Sequence, residues 1–234
     1  MKPSRVTILI GLLIALCMGV HALAQAPTPQ TPAKSAAVDI QALDKFIAGE
    51  LKSRGLVGLS AAVMIDGKIV LAKGYGRSVL GGAAATAETP FAIGSITKQF
   101  TSACILKLAE AGKLNVADKV AKYYPGLTRA GNITLLDLMN HVSGYHDYYP
   151  LDFVDRPMMK PIDADELIRR FAGRPLDFEP GSRYSYSNTG FVILGRVVEK
   201  ISGQPFGRFL QDHIFTPLGL KHTFYEPDAD QPGL

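Results

Sequence analysis

Lys98 follows Ser95 by three positions in the stretch "FAIGSITKQFTSACILKL" (Phe91 to Leu108), and an apolar helical pattern runs on behind them. Positions three apart share a helix face, so the two side chains can meet. A serine hydroxyl is a weak nucleophile until a base takes its proton. A lysine serves as that base where burial or neighbouring cations depress its pKa. At a helix N-terminus the serine oxygen also sits at the positive end of the dipole, which favours developing negative charge. The chemistry implied is acyl transfer through an ester on Ser95. The bland alternative is Ser95 as a helix N-cap with Lys98 in solvent. Composition alone produces about one Ser-x-x-Lys match in a chain of this size.

A second constellation lies about ninety residues on. "YSYSNTGFVILGRVVEKISG" places Tyr186-Ser187-Asn188 at the start of a long helical pattern, after a Pro180-Gly181 turn. A tyrosine oxygen near the lysine would shuttle a proton between nucleophile and leaving group. Asn188 would hold both the lysine and a substrate amide or ester oxygen. Taken singly, Tyr186 also fits an amphipathic core aromatic and Asn188 a helix N-cap.

With both motifs in order, the chain resembles the serine β-lactamase and penicillin-binding protein superfamily. Within it, the resemblance is to the branch of class C β-lactamases, D-alanyl-D-alanine carboxypeptidases and family VIII esterases. It covers about residues 40 to 230. Between the two motifs, "LLDLMNHVSGYHDY" resembles that family's Leu-Leu-x-His-x-Ser-Gly segment, and "FTPLGLKHTFY" resembles its Pro-Leu-Gly-Met turn. The resemblance implies that Ser95 is the acylated nucleophile and Lys98 its general base or proton relay. It implies that Tyr186 is the base for acylation and deacylation, and that Asn188 contacts substrate and lysine. Which residue is the base is disputed in related enzymes, so Lys98 and Tyr186 are kept as a coupled pair. One departure matters: no Lys-Ser/Thr-Gly or His-Ser/Thr-Gly occurs in these 234 residues. In the family that third motif lies on a strand lining the site and supplies an oxyanion-hole N–H. Loss of one such donor costs about 10² to 10³ in rate.

The elements that must position these residues are mostly helical. Residues 38 to 54 place Ile40, Leu43, Phe46, Ile47 and Leu51 on one helical face, ended by Gly55. Two β-prone runs then flank Asp66-Gly67, a type I′ hairpin signal. Helices are expected from Ser95 to about Ala111 with Gly112 closing it, at Val116–Tyr123, Thr134–Met139, Ala164–Phe171, Thr189 to Ile201, and Pro205 to about Phe215. The inventory is two strands and about seven helices. A lone hairpin is marginal in water and has open edges. The expectation is therefore an α+β, β-lactamase/transpeptidase-like fold: an antiparallel sheet flanked by helices plus a helical subdomain, with the sheet incomplete in this chain. Residues 38–234 would be the β-lactamase-like domain, lacking its C-terminal part.

Lys2 and Arg5 precede an uncharged run from Val6 to Val20, and "ALA" at Ala22 to Ala24 is a cleavage signature. Residues 1–24 read as a secretory signal peptide cut after Ala24; the run is short of the roughly 20 apolar residues that span a bilayer. The expected location is periplasmic or secreted, with no stable membrane span after cleavage. Residues 25–37, "QAPTPQTPAKSAA", read as a flexible linker. The mature chain has 23 basic against 21 acidic residues, so the basicity of the whole chain overstates its charge. With no Lys/Arg tract and no basic–aromatic interleaving, no nucleic-acid partner is expected. The one mature cysteine, Cys104, cannot form an internal disulfide and reads as a small core residue.

Other constellations carry less. His141, His146 and Asp147 fit no zinc spacing, so no metal is expected. "KGYGRSVLGG" lacks the strand–loop–helix context of a phosphate loop, and no cofactor is expected. Asp177 and Glu179 lie in one loop without a partner acid for glycosidase chemistry. The expected function is an exported serine hydrolase acting through an acyl-enzyme on Ser95, with a β-lactam, a D-amino-acid peptide or a small ester as substrate. The rival is a non-catalytic module on the same fold that binds peptidoglycan fragments.

Overall fold

Asp66 and Gly67 both take positive φ, 48° and 75°, as a type I′ turn requires. They join strand β1 (Gly58–Ile65) to β2 (Lys68–Gly76) in an antiparallel pair with Ile65 opposite Lys68 and an irregularity between Val63 and Met64. This computed structural model describes residues 38–149 and 161–225; the expected signal peptide and linker fall outside them. Among the described residues the sheet has these two strands only.

Helix α1 (Ile40–Ser53) starts where the Asp39 carboxylate accepts the Ala42 N–H at 2.9 Å. It is fastened to β2 by one carboxylate: Asp44 accepts from the Tyr75 hydroxyl at 2.6 Å and from Lys73 at 2.8 Å. The packing between them is shallow. No residue of α1 is buried, and Phe46, on the predicted apolar face, is 62% exposed.

The core sits in the helical half. Helix α2 (Thr97–Glu110) buries Thr101, Cys104, Ile105 and Leu108; α3 (Leu135–Met139) buries Leu135 and Leu138; α4 (Ala164–Ala172) buries Ile168 and Ala172. All three pack around α5 (Asn188–Ser202), whose Ile193, Leu194, Val197 and Val198 lose their whole surface. Burying each of these side chains is worth about 1.5–3 kcal/mol, so α5 is the rigid post of the domain. Gly203 ends it in the left-handed conformation, φ 70°, with its N–H on the Glu199 carbonyl. Helix α6 (Phe206–Leu210) closes the far side with Phe209 and Leu210. No helix among the described residues is long and apolar enough to cross a membrane.

Two expected helices are corrected. The one at Val116–Tyr123 shrinks to a 3-10 turn at Val120–Lys122. Asn115 and Asp118 bond the nearby Ala117 and Asn115 N–H groups instead, and the Val120 N–H goes to the Ile133 carbonyl at 2.8 Å. Such side-chain-to-backbone bonds compete with helix formation. The last helix is not continuous: after α6 the chain widens into a π-type turn, Gln211–Phe215, in which the Thr216 N–H reaches the Gln211 carbonyl.

Candidate active site

Ser95 lies in a 3-10 turn, Gly94–Ile96, that leads straight into α2. Gly94 enters it at φ 52°. The helix proper thus begins two residues later than expected, and Lys98 is its second residue. The geometry still brings the pair together: Lys98 Nζ donates to Ser95 Oγ at 3.2 Å.

Tyr186 and Asn188 arrive at the same point from the start of α5. The Tyr186 hydroxyl and Ser95 Oγ are 2.5 Å apart. Lys98 Nζ donates to Asn188 Oδ1 at 2.7 Å and lies 4.8 Å from the centre of the Tyr186 ring and 5.5 Å from that of Phe191. All four residues named from the sequence therefore form one hydrogen-bonded cluster. Tyr186 is 40% exposed, which disposes of the core-aromatic alternative. Asn188 is the first residue of α5 rather than its cap; the cap position is Ser187, whose side chain makes no capping bond.

The cluster rests on two loops that sequence spacing did not join. Backbone bonds from Asp177 to Gly144, Gly181 to Val142 and Ser185 to His141 zip the segment 141–144 to the segment leading into α5. Gly144 permits this approach: at φ 81°, a Cβ there would lie 2.3 Å from the Phe178 carbonyl oxygen. Arg129, through Nη1, grips both carboxylate oxygens of Glu179 at 2.6 Å on the outer side.

Two further residues support the cluster. His141, at φ 58°, stacks on Tyr186 with ring centres 4.6 Å apart, and its Nδ1 accepts the Ser187 N–H at 3.1 Å. Burial first, and the Lys98 ammonium second, hold its pKa below the usual histidine value, against the pull of the Asp147 carboxylate. The imidazole is thus neutral with its proton on Nε2. Asp147 accepts the Asn188 N–H at 2.9 Å and the Asn188 Nδ2 hydrogen at 3.0 Å. Both lie inside "LLDLMNHVSGYHDY", but no local periodicity places position 147 against position 188. His146 faces Asp177, 3.1 Å from Nδ1 to Oδ1, rather than joining His141. Cys104 is fully buried, and burial pushes its thiol up to about 12.

A cleft of about 390 Å³ opens beside Lys98 and Asn188 and is lined also by Thr97, Thr101, Tyr148 and Phe191. A larger one, about 560 Å³, lies at Tyr123, Tyr124 and Lys200 and touches none of the four residues. Of the four residues, Lys98 and Asn188 stand in the wall of the smaller cleft, whereas Ser95 and Tyr186 are not part of its lining. The Ser95 oxygen is held between the Lys98 amine and the Tyr186 phenol, which both reach it, the arrangement that nucleophilic attack and proton relay need.

The β-lactamase family model matches residues 43–233. An Escherichia coli K12 protein named "Putative D-alanyl-D-alanine carboxypeptidase" is 29% identical, the match covering 96% of this chain and 56% of that one. Among solved structures, the octameric penicillin-binding protein homologue from Pyrococcus abyssi is 32% identical with a TM-score of 0.72, covering 83% of this chain and 46% of that one. The D-amino acid amidase from Ochrobactrum anthropi SV3, complexed with D-phenylalanine, is 27% identical with a TM-score of 0.69, covering 79% and 52%. The chain thus spans about half the length of these relatives.

Proposed function

Because this chain belongs to the β-lactamase family, we propose that it is an exported serine hydrolase working through an acyl-enzyme on Ser95. The observation that carries this is one chain of hydrogen bonds that runs from Tyr186 Oη through Ser95 Oγ and Lys98 Nζ to Asn188 Oδ1. Ser95 Oγ attacks the substrate carbonyl carbon as its proton passes to whichever of Lys98 and Tyr186 has given up its own. The same pair returns the proton to the leaving amine or alcohol. Water then cleaves the ester on Ser95, with Tyr186 or Lys98 taking its proton and passing it to Ser95 Oγ as the acid product leaves. Asn188 spends one Nδ2 hydrogen on Asp147, and the other, which has no partner among the described residues, is available to the substrate carbonyl region.

Among β-lactams, D-amino-acid peptides and small esters, the names of the relatives favour an amide bond beside a D-configured residue. Export is supported by the charged start at Lys2 and Arg5, the apolar run to Val20 and the Ala22–Ala24 signature, and a periplasmic or secreted location follows from it. The test is the intact mass of the mature protein after separate brief exposures to a penicillin and to an activated ester. An adduct on Ser95, absent in Ser95→Ala, is the expected result. Saturable binding of a peptidoglycan fragment without any adduct would replace catalysis with recognition.

A further inference from the structure

An asparagine amide has two ends of nearly equal shape and opposite hydrogen-bonding character, so turning it over replaces an acceptor by two donors. The orientation of Asn188 therefore decides whether Lys98 meets an oxygen or another N–H group. A lysine ammonium can only donate, and an ionised carboxylate can only accept. Asn188 stands between one of each: Lys98 at 2.7 Å on its Oδ1 and Asp147 at 3.0 Å on its Nδ2. Only one orientation of the amide satisfies both.

We propose that Asp147 is a positioning residue for acylation, one that sets the polarity of Asn188 and through it the place of Lys98. Its second oxygen accepts the Asn188 backbone N–H at 2.9 Å, so the carboxylate fixes backbone and side chain of one residue together. Asp147 is itself held in place. On either side of it, the fully buried Thr189 hydroxyl donates to the His146 carbonyl at 2.8 Å and accepts the Tyr148 N–H at 3.0 Å. The loop is thereby stapled to the first turn of α5, which fixes the backbone from which the carboxylate projects. Lys98 in turn reaches Ser95 Oγ at 3.2 Å, so the chain of contacts runs from Asp147 to the nucleophile through two intermediates. The consequence for rate rests on the proposed acyl-enzyme, whereas the orienting contact itself does not.

Asp147→Asn is the discriminating variant, because it keeps the shape and removes one acceptor. In either rotamer the new amide sets a donor against the Asn188 N–H or against its Nδ2. Rotating Asn188 to relieve the second conflict would present its Nδ2 to Lys98. Small misplacements of catalytic groups, and loss of the groups that orient them, cost roughly ten- to a hundredfold.

The experiment follows acylation of the full mature protein by a fluorescent penicillin and by an activated ester under single-turnover conditions. Alongside it, solvent exchange of the Asn188 Nδ2 hydrogens is read by 15N NMR and assigned through Asn188→Ala. Asp147→Asn is expected to slow the acylation rate constant about ten- to a hundredfold. The labelled fraction at completion, the concentration for half-maximal rate and the unfolding midpoint should remain those of the wild type. One slowly exchanging Asn188 hydrogen should become fast, and Asp147→Ala should act in the same direction. An unchanged acylation rate overturns the proposal. So does a loss seen only as a smaller labelled fraction with a lower unfolding midpoint, since that is a structural role. If the wild type forms no adduct, the acyl-enzyme reading fails. The amide exchange then decides alone: an Asn188 hydrogen unaffected by Asp147→Asn removes Asp147 from the positioning role.

Discussion

The Tyr186 hydroxyl lies 2.5 Å from Ser95 Oγ although 91 positions separate the two residues. The contact exists because α2 and α5 pack side by side and each begins at the same end of the core. Tyr186→Phe removes that oxygen and keeps the ring that stacks on His141. Acyl-enzyme formation should fall by about 10² to 10⁴, the usual worth of a positioned proton-transfer group. The unfolding midpoint should stay near the wild-type value. Single-turnover acylation and a thermal melt on the same sample check both halves.

His141 gives the fold a pH dependence of known sign. Its pKa is lowered in the folded state by burial and by Lys98, whereas the unfolded chain takes a proton near 6.5. Its stabilising contribution is complete above about pH 6.5 and is lost as pH falls through the folded-state value. Protonation at Nδ1 would also break the bond from the Ser187 N–H beside Tyr186. The acids Asp118 and Asp165 are held down to about 2, chiefly by Lys122 and Arg196 respectively, so their contributions are lost as pH falls from about 4 to about 2. The unfolding midpoint should therefore drop between pH 7 and 5, and His141→Gln should flatten that drop. Equal slopes in the two proteins would contradict it.

The four clustered residues are legible because two of them share a helix turn and the other two stand at the start of a long apolar helix that is easy to see. The hairpin was equally plain from Asp66-Gly67. What the sequence hid was everything that depends on two loops meeting. Asp147 meets Asn188 just beyond the place where the backbone of segment 141–144 pairs with segment 177–185, and no spacing rule reaches across that gap. The helix expected at Val116–Tyr123 gives way to a turn at Val120–Lys122 for a related reason: Asn115 and Asp118 spend their side chains on neighbouring N–H groups, which periodicity does not register. Ser95 itself sits in a 3-10 turn before α2, a difference of one hydrogen-bond step that no propensity argument resolves.

Cys104 is inside the helical core with no exposed surface, and its thiol is pushed up by burial. A thiolate is the reactive form, so the folded protein should resist alkylation by iodoacetamide at neutral pH. Labelling should become rapid only above the unfolding transition in urea. Rapid labelling of the native protein would mean that α2 opens far more easily than its packing implies.

Two glycines separate close approach from mere composition. Gly144 has φ 81°, and a Cβ on it would meet the Phe178 carbonyl oxygen at 2.3 Å; Gly49, inside α1, has nothing within 4 Å of such an atom. Gly144→Ala must therefore strain the backbone and push the segment that carries His141 and Asp147 away from the segment that leads into α5. A cost of more than about 2 kcal/mol is expected, combining unfavourable φ with the clash. That corresponds to a fall of roughly 4–8 °C in unfolding midpoint for a domain of this size. Gly49→Ala should do the reverse, adding about 0.5–1 kcal/mol by favouring the helix. Calorimetry on the pair checks the stabilities. Acylation of the Gly144 variant below its melting range then asks whether the loop contact is also needed for the site: a slower rate constant in fully folded protein ties the Phe178–Gly144 approach to the placement of Asn188, and an unchanged one confines it to stability.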